Sequence, residues 1–98
     1  MRVLHLTLKK KWFVMTDIGD KPEEYREITP YWRKRLMTNQ STFKQFDQVF
    51  ARNGYNPKKN PSWLRKWEGT SIGYGQEKWG AEPGKKYFVI KLGERINP

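Results

Sequence analysis

The charged segment at residues 19–26, Gly-Asp-Lys-Pro-Glu-Glu-Tyr-Arg, constrains the fold most. A glycine turn opens it, and an extended strand follows. Because side chains alternate across a strand, Glu24, Arg26 and Ile28 share one face, and the apolar Ile28 marks that face as the inner one. A carboxylate and a guanidinium are therefore predicted to point inward, where unpaired charge is costly and functional groups often lie. The segment predicts either a ligand site or an internal ion pair.

The length of the chain limits the architecture. Its 98 residues suit one domain, residues 1–98, built on a single modest core. Five Trp, five Tyr and five Phe can fill that core with few aliphatic residues, since each ring buries a large area. We therefore expect a small barrel-like or α+β module.

The residues that the chain lacks exclude several chemistries. With no cysteine and one histidine, it has no disulfide framework, no zinc site of usual ligand spacing and no Cys or Ser-His nucleophile. We expect no metal and no cofactor. The apolar run at residues 1–8 is too short for a signal sequence, and no stretch approaches the roughly 20 apolar residues of a membrane helix. A cytoplasmic protein is expected.

The charge balance is strongly basic. Twenty Lys and Arg residues face ten Asp and Glu residues, for a net charge of +10. This balance favours phosphate backbones or other polyanions as partners, and together with the many aromatic residues it is typical of nucleic acid or nucleotide binding. A basic surface that serves solubility alone is the alternative, and charge does not separate the two.

The first strand is predicted at residues 3–8. Its apolar positions alternate, so Leu4, Leu6 and Leu8 face inward and His5 faces outward. With no second histidine or cysteine to join it, His5 is expected to be structural.

A helix is predicted to follow from Lys9 to the stop signal at Gly19. The apolar period changes here from that of a strand to that of a helix. The predicted apolar stripe consists of Leu8, Trp12, Phe13, Val14, Met15 and Ile18. A lysine run at its start, which includes Lys11, lies where the helix dipole disfavours cations, so a functional use of these lysines is one interpretation.

A second, short helix is predicted at residues 31–36. Thr29 is its expected N-cap, and Pro30 occupies the first helical position. Trp32 and Leu36, four residues apart, are expected to hold the helix to the core.

Three strands are predicted in the second half of the chain, at residues 43–52, 62–68 and 86–92. Residues 43–52 form a strand or extended stretch, Asn53-Gly54 a turn, and residues 55–61 a loop. The final strand, residues 86–92, has a near-continuous apolar run and is expected to be central. The order of elements predicts an α+β fold, a small and partly open mixed barrel flanked by two or so short helices.

The strand at residues 62–68 alternates aromatic and basic side chains on one face. These are Trp63, Arg65 and Trp67. They are predicted either to stack bases, as in single-strand binders, or to pack against the helices. The glycines that follow, Gly69, Gly73 and Gly75, are predicted to form bulges or turns.

The motif Gly19-x-Lys21-x-x-Glu24-x-Arg26, after a helix with Trp12 and Phe13, resembles the signature of the ASCH domains, relatives of the PUA fold. Further similar segments cover almost the whole chain and resemble the short stand-alone ASCH proteins of bacteria and phages. They are residues 23–28, 30–32, 52–55, 79–84 and 87–92.

The resemblance implies a PUA-like β-barrel, a cleft between barrel and helices that is lined by the signature loop, and a role in RNA metabolism or transcription-coupled regulation. One branch of the family hydrolyses N4-acetylcytidine with Lys, Thr and Glu as working groups. Lys21 matches, but Glu24 stands at the Thr position, which removes the hydroxyl. Glu77 and Glu82 are both candidates for the distal acid.

Three functions follow as hypotheses. In the first, the protein binds RNA, a nucleotide or a nucleoside: Lys21 and Arg26 contact phosphate or a base carbonyl, and Glu24 accepts from an exocyclic amine such as cytosine N4. The predicted site also includes five further residues, Lys11, Trp12, Tyr25, Trp79 and Tyr87, of which the three last would stack on the ligand.

The other two hypotheses use the same chain differently. In an amidohydrolase acting on N-acylated cytidine-type nucleosides, Lys21 is base or nucleophile and Glu24 shuttles a proton. In an adaptor, the strand with Trp63 binds a protein partner, since Trp and Arg are frequent at interfaces. The alternative to any site is that Lys21, Glu24 and Arg26 only pair with one another.

Overall fold

Residues 1–54 and 61–96 are described in the computed structural model, in which one five-stranded sheet curls into a half-barrel beside two α-helices. The elements are β1 (Val3–Leu8), α1 (Lys10–Asp17), β2 (Glu23–Arg26), α2 (Pro30–Leu36), β3 (Gln48–Asn53), β4 (Ser62–Tyr74), a 3-10 helix (Glu77–Trp79) and β5 (Lys86–Arg95). The predicted α+β class is confirmed at this level. The loop predicted at residues 55–61 and the family similarity at Tyr55 lie, apart from Pro61, outside the described residues.

The sheet is mixed, as predicted, with strand order β1-β3-β4-β5-β2. β1 pairs with β3 in parallel, and the other neighbours are antiparallel. β5 lies inside the sheet, and its segment from Tyr87 to Ile90 is buried throughout, which confirms the prediction for this strand. β1 and β2 are the two edges of the curled sheet, and the space between them is where the half-barrel opens.

The alternation predicted for β1 is confirmed. Leu4, Leu6 and Leu8 are buried in the core, and His5 is exposed. The remainder of the core comes from α1, α2 and the other strands, through Phe13, Leu36, Met37, Val49, Ala51, Trp63, Phe88, Ile90 and Leu92.

The apolar stripe predicted for α1 is partly wrong. Val14 and Ile18 are 45% and 65% exposed, whereas Thr16 is fully buried. The Thr16 hydroxyl donates to the carbonyl of Trp12 or Phe13, each 2.9 Å away, and accepts from Trp63 Nε1 at 3.0 Å. Thr16 is buried despite its hydroxyl because that polar group is satisfied inside the fold.

Helix α2 starts as predicted. The Thr29 hydroxyl accepts from the backbone N–H of Trp32 at 3.2 Å, and Pro30 occupies the first turn. Leu36 is fully buried, and Trp32 packs against the core cluster.

The aromatic face of β4 points into the protein. Trp63 is fully buried and Arg65 is 9% exposed. Base stacking or protein docking on this face, one interpretation of the sequence, is therefore wrong for Trp63. Gly69, at φ +133°, lies at a shift in the β4–β5 register, which confirms a bulge. Gly73, however, pairs in regular register with Tyr87, so no bulge forms there.

None of the helices within residues 1–54 and 61–96 has the length and apolar character that crossing a bilayer requires.

Candidate functional site

A cleft of about 920 Å³ occupies the opening between β1 and β2. It is lined by most of the residues that the sequence predicted for the site, namely Trp12, Lys21, Glu24, Tyr25, Arg26, Trp79 and Tyr87. Lys11 is outside the lining, and its Nζ lies 4.8 Å from the Trp12 ring centroid. Glu24, Tyr25 and Arg26 are consecutive yet all line the cleft, because β2 is an edge strand bordered by the opening.

The turn after α1 brings Lys21 to the bottom of the cleft. Gly19 takes a left-handed conformation, φ +89°, that glycine adopts without strain. The backbone N–H of Lys21 then returns to the carbonyl of Met15 at 3.1 Å, and the Pro22 carbonyl accepts from Leu92 at 2.9 Å. Lys21 is thus fixed between the helix end and β5.

Lys21 and Glu24 form a buried pair, the floor of the cleft. Their side chains are 1% and 3% exposed, and Nζ lies 2.6 Å from Oε1. Lys21 Nζ also donates to the Glu23 carbonyl at 2.8 Å, so two of its three N–H groups are used within the described residues. Arg26 Nη1 lies 3.4 Å from the other oxygen of Glu24. The ion pair that the sequence offered as an alternative therefore exists, and it lines a cavity.

Burial lowers the pKa of Lys21 below its ordinary value of 10.5, and the negative charge of Glu24 opposes this shift. The ammonium also lies 5.3 Å from the Trp12 ring centroid and 5.4 Å from that of Tyr25. These rings replace part of the lost hydration of the cation. The arrangement holds a cation in a nearly dry site.

Tyr25 forms one wall. Its hydroxyl donates to Glu23 Oε1 at 2.8 Å and accepts from the Gln76 N–H at 2.9 Å. Burial raises the pKa of Tyr25 to about 12. Its ring lies 5.8 Å from that of Tyr87, and the Tyr87 hydroxyl accepts from the Glu82 N–H. These bonds hold both residues in the lining of the cleft.

The mouth of the cleft carries a second cluster, the Arg-Trp-Arg rim, formed by Arg26, Trp32 and Arg35. Both guanidiniums lie by the same indole, at 5.3 Å and 4.8 Å from its ring centroid. Each also donates to an edge carbonyl of β1 at 3.1 Å, Arg26 to Thr7 and Arg35 to His5. Side chains from β2 and α2 thereby bridge the opening of the half-barrel.

Sequence reasoning missed Trp32 and Arg35 as site residues. Trp32 was predicted to hold α2 to the core, and Arg35 was not predicted for the site. Their spacing of three residues on one helix puts them side by side, and that spacing was the available signal. The position of α2 at the mouth depends on tertiary packing.

The lining of the cleft is cationic. Its positive side chains are Lys9, Lys21, Arg26, Arg35 and Arg52, and its carboxylates are Glu24 and Glu27. Glu77 and Glu82, the candidates for a distal acid, are both exposed and outside the lining. In the described parts of the chain, there is no group of three or more His, Cys, Asp or Glu side chains that could hold a metal ion.

Fold and site together define a small α+β half-barrel with an aromatic, cationic cleft. The chain matches no family model, no curated protein and no solved structure. Its function must therefore be inferred from the cleft itself.

Proposed function

We propose that the protein binds single-stranded RNA or a nucleotide in this cleft, with the base at the floor and the phosphate at the rim. The observation that carries the proposal is the combination of a buried donor and acceptor, aromatic walls and guanidiniums at the mouth. The volume of about 920 Å³ is near the upper end for small-molecule sites and accommodates a nucleotide unit.

The floor suits a base edge with both a donor and an acceptor. Lys21 has one N–H left for a base carbonyl, and the Glu24 carboxylate, with about four lone-pair sites, can accept a further bond. A carboxylate pairs with an exocyclic amine such as cytosine N4. Cytosine presents its N4 amine and its O2 carbonyl on either side of ring N3, whereas uracil has no amine.

The walls and rim suit the rest of a nucleotide. Trp12, Tyr25 and Trp79 are half-buried rings of the cleft lining, and base–aromatic stacking contributes about 1–3 kcal/mol per base. Tyr87, which is 7% exposed, supports the Tyr25 ring 5.8 Å away. At the rim, guanidiniums have the geometry for forked contact with phosphate oxygens. Arg26 and Arg35 already lie by Trp32 and donate to carbonyls of β1, so both side chains are held in place before a ligand arrives.

Fluorescence anisotropy with a short labelled oligocytidylate tests the proposal. We expect an affinity that falls steeply as salt rises, since phosphate contacts release counterions. Arg26→Ala should weaken binding by about tenfold, the low end for a lost charge-assisted bond, and oligouridylate should bind more weakly than oligocytidylate. Lys86→Ala, an exposed cation outside the cleft lining, is the matched control. An affinity that does not change with salt concentration would contradict the proposal.

We propose, on the sequence resemblance alone, that the chain is related to the ASCH domains and their PUA-like barrel. This relationship adds a second candidate function, an amidohydrolase acting on N-acylated cytidines. The lowered pKa of Lys21 at the floor favours it, because a lysine nucleophile or base must lose its proton. Release of acid from a panel of N-acyl cytidines should then stop in Lys21→Ala. If the wild-type protein releases no acid, binding alone remains.

A further inference from the structure

The cleft does not end at its rim. We propose that a bound RNA strand continues from the cleft along the seam between β1 and α2, so that the protein's ligand is an oligonucleotide. This inference rests on the proposed function and specifies the class of ligand.

Two shallower depressions extend the cleft along this seam. The nearer one runs past the first residues of β1, and the farther one lies beyond the end of α2. Arg35 lines both the cleft and the nearer depression, and Lys34 and Lys44 line both depressions. The three hollows therefore share walls and form one path, here called the seam groove where it lies outside the cleft.

The seam groove is basic. Its cations are Arg2, Arg33, Lys34, Arg35 and Lys44, and among the described residues no Asp or Glu lines it. Asp47, nearby in sequence, accepts a bond from the Arg2 backbone N–H at 2.8 Å. The cleft itself contains two carboxylates, so the groove is the more uniformly positive part of the path. This pattern matches a chain of phosphates, with base recognition confined to the cleft.

Two of these cations are held in place. Lys44 Nζ donates to the Lys34 carbonyl at 2.9 Å near the end of α2. Arg35 is held by the His5 carbonyl at 3.1 Å and by the Trp32 ring. Arg35 therefore stands at the junction, where a phosphate that leaves the cleft enters the groove.

The length of the groove sets the size of the ligand. Helix α2 has 7 residues, which makes it about 10 Å long at about 1.5 Å per residue. At about 3.4 Å per nucleotide for a stacked strand, α2 runs beside about three nucleotides. The seam thus predicts tighter binding for an oligomer than for a mononucleotide.

The test compares cytidine monophosphate with oligocytidylates of increasing length, by calorimetry and anisotropy, on the full chain. We expect affinity to rise over the first few nucleotides and then level off. Arg33→Ala/Lys34→Ala removes two exposed cations from a helix in which alanine is well tolerated. It should weaken the longer oligomer by about 10- to 30-fold and lower its log–log salt slope by about 1.4, at about 0.7 per phosphate contact. Binding of the mononucleotide should not change.

The control is Lys86→Ala/Lys91→Ala, which removes the same charge from exposed positions of β5 outside the cleft and groove. An equal loss of oligomer affinity in both double variants would contradict the seam-groove proposal but not the cleft proposal. The same holds if the mononucleotide and the oligomer bind with equal affinity. If neither ligand binds, both proposals fail.

Discussion

Within residues 1–54 and 61–96, two cations, Lys21 and Arg65, are buried, and they are accommodated differently. Lys21 is 1% exposed and lies 2.6 Å from a carboxylate. Arg65 is 9% exposed, and its buried Nε has no hydrogen-bond partner among the described residues. Lys21 lines the cleft, whereas Arg65 lies outside the cleft lining, with its guanidinium carbon 5.8 Å from the Trp63 ring centroid.

The difference shows two ways to bury a positive charge. For Lys21 the neighbour is an opposite charge at hydrogen-bonding distance. For Arg65 the neighbours are the Trp63 ring and the C-terminal end of α1. At that helix end Asp17 binds Arg95. Gly19 follows it and lies so near that a Cβ added to this glycine would be 3.8 Å from Arg65 Nη2. Burial lowers the pKa of Arg65, and nearby Arg95 adds to the shift. A weakly hydrated guanidinium tolerates such a position better than an ammonium does.

The largest effect that separates the two cations is expected for Glu24→Gln. It leaves the Lys21 ammonium buried without a counter-charge, so the free energy of unfolding at neutral pH should fall by about 3–5 kcal/mol. Chemical denaturation measures this loss. Glu27→Gln, which breaks the exposed pair with Lys85, is the control and should change stability little. Equal losses in the two variants would mean that Lys21 does not need its partner.

The double variant Lys21→Met/Glu24→Gln sharpens the same comparison. Because it removes both charges of the pair, it should recover most of the stability lost in Glu24→Gln. A double variant as unstable as the single one would show that the loss comes from packing.

The next effect is that the stability lost in Glu24→Gln, here called the penalty, depends on pH. The folded-state pKa of Lys21 lies below its ordinary 10.5, so between these two values the unfolded chain binds more protons than the folded chain. The stability contributed by Lys21 therefore rises with pH toward 10.5 and is lost as pH falls through the lowered value. In Glu24→Gln the penalty should shrink as pH rises. Denaturation at a series of alkaline pH values, with the double variant as reference, measures it, and a constant penalty would contradict a neutralisable Lys21.

The smallest effect is expected for Arg65→Met. The substitution fills the same buried position with an apolar side chain and removes a charge that, within residues 1–54 and 61–96, has no carboxylate at hydrogen-bonding distance. Stability should therefore change by about 1 kcal/mol or less in either direction. Arg65 keeps its charge at all accessible pH values, so this change should not depend on pH. A loss as large as that of Glu24→Gln would show that Arg65 has a partner as strong as that of Lys21.

Local sequence rules predicted strand faces and helix caps of this protein correctly, but they did not predict the contacts that depend on tertiary packing. Alternation put the leucines of β1 and Glu24 inside, and capping rules placed Thr29 correctly. They failed where a polar group is satisfied by a distant residue, as for Thr16 and Trp63, and where one helix is positioned over a sheet edge. Hence Lys21 and Glu24 were predicted for the site, and Trp32 and Arg35 were not.

The bridges from Arg26 and Arg35 to the carbonyls of β1 have a consequence for the protein in solution. An edge strand with unoccupied backbone groups is a template for pairing with another chain, and these guanidiniums occupy two of the carbonyls on this edge. Replacing either arginine therefore uncovers a self-association surface. Oligomer size must be measured alongside affinity in such variants, because aggregation would otherwise be mistaken for a loss of the proposed ligand binding.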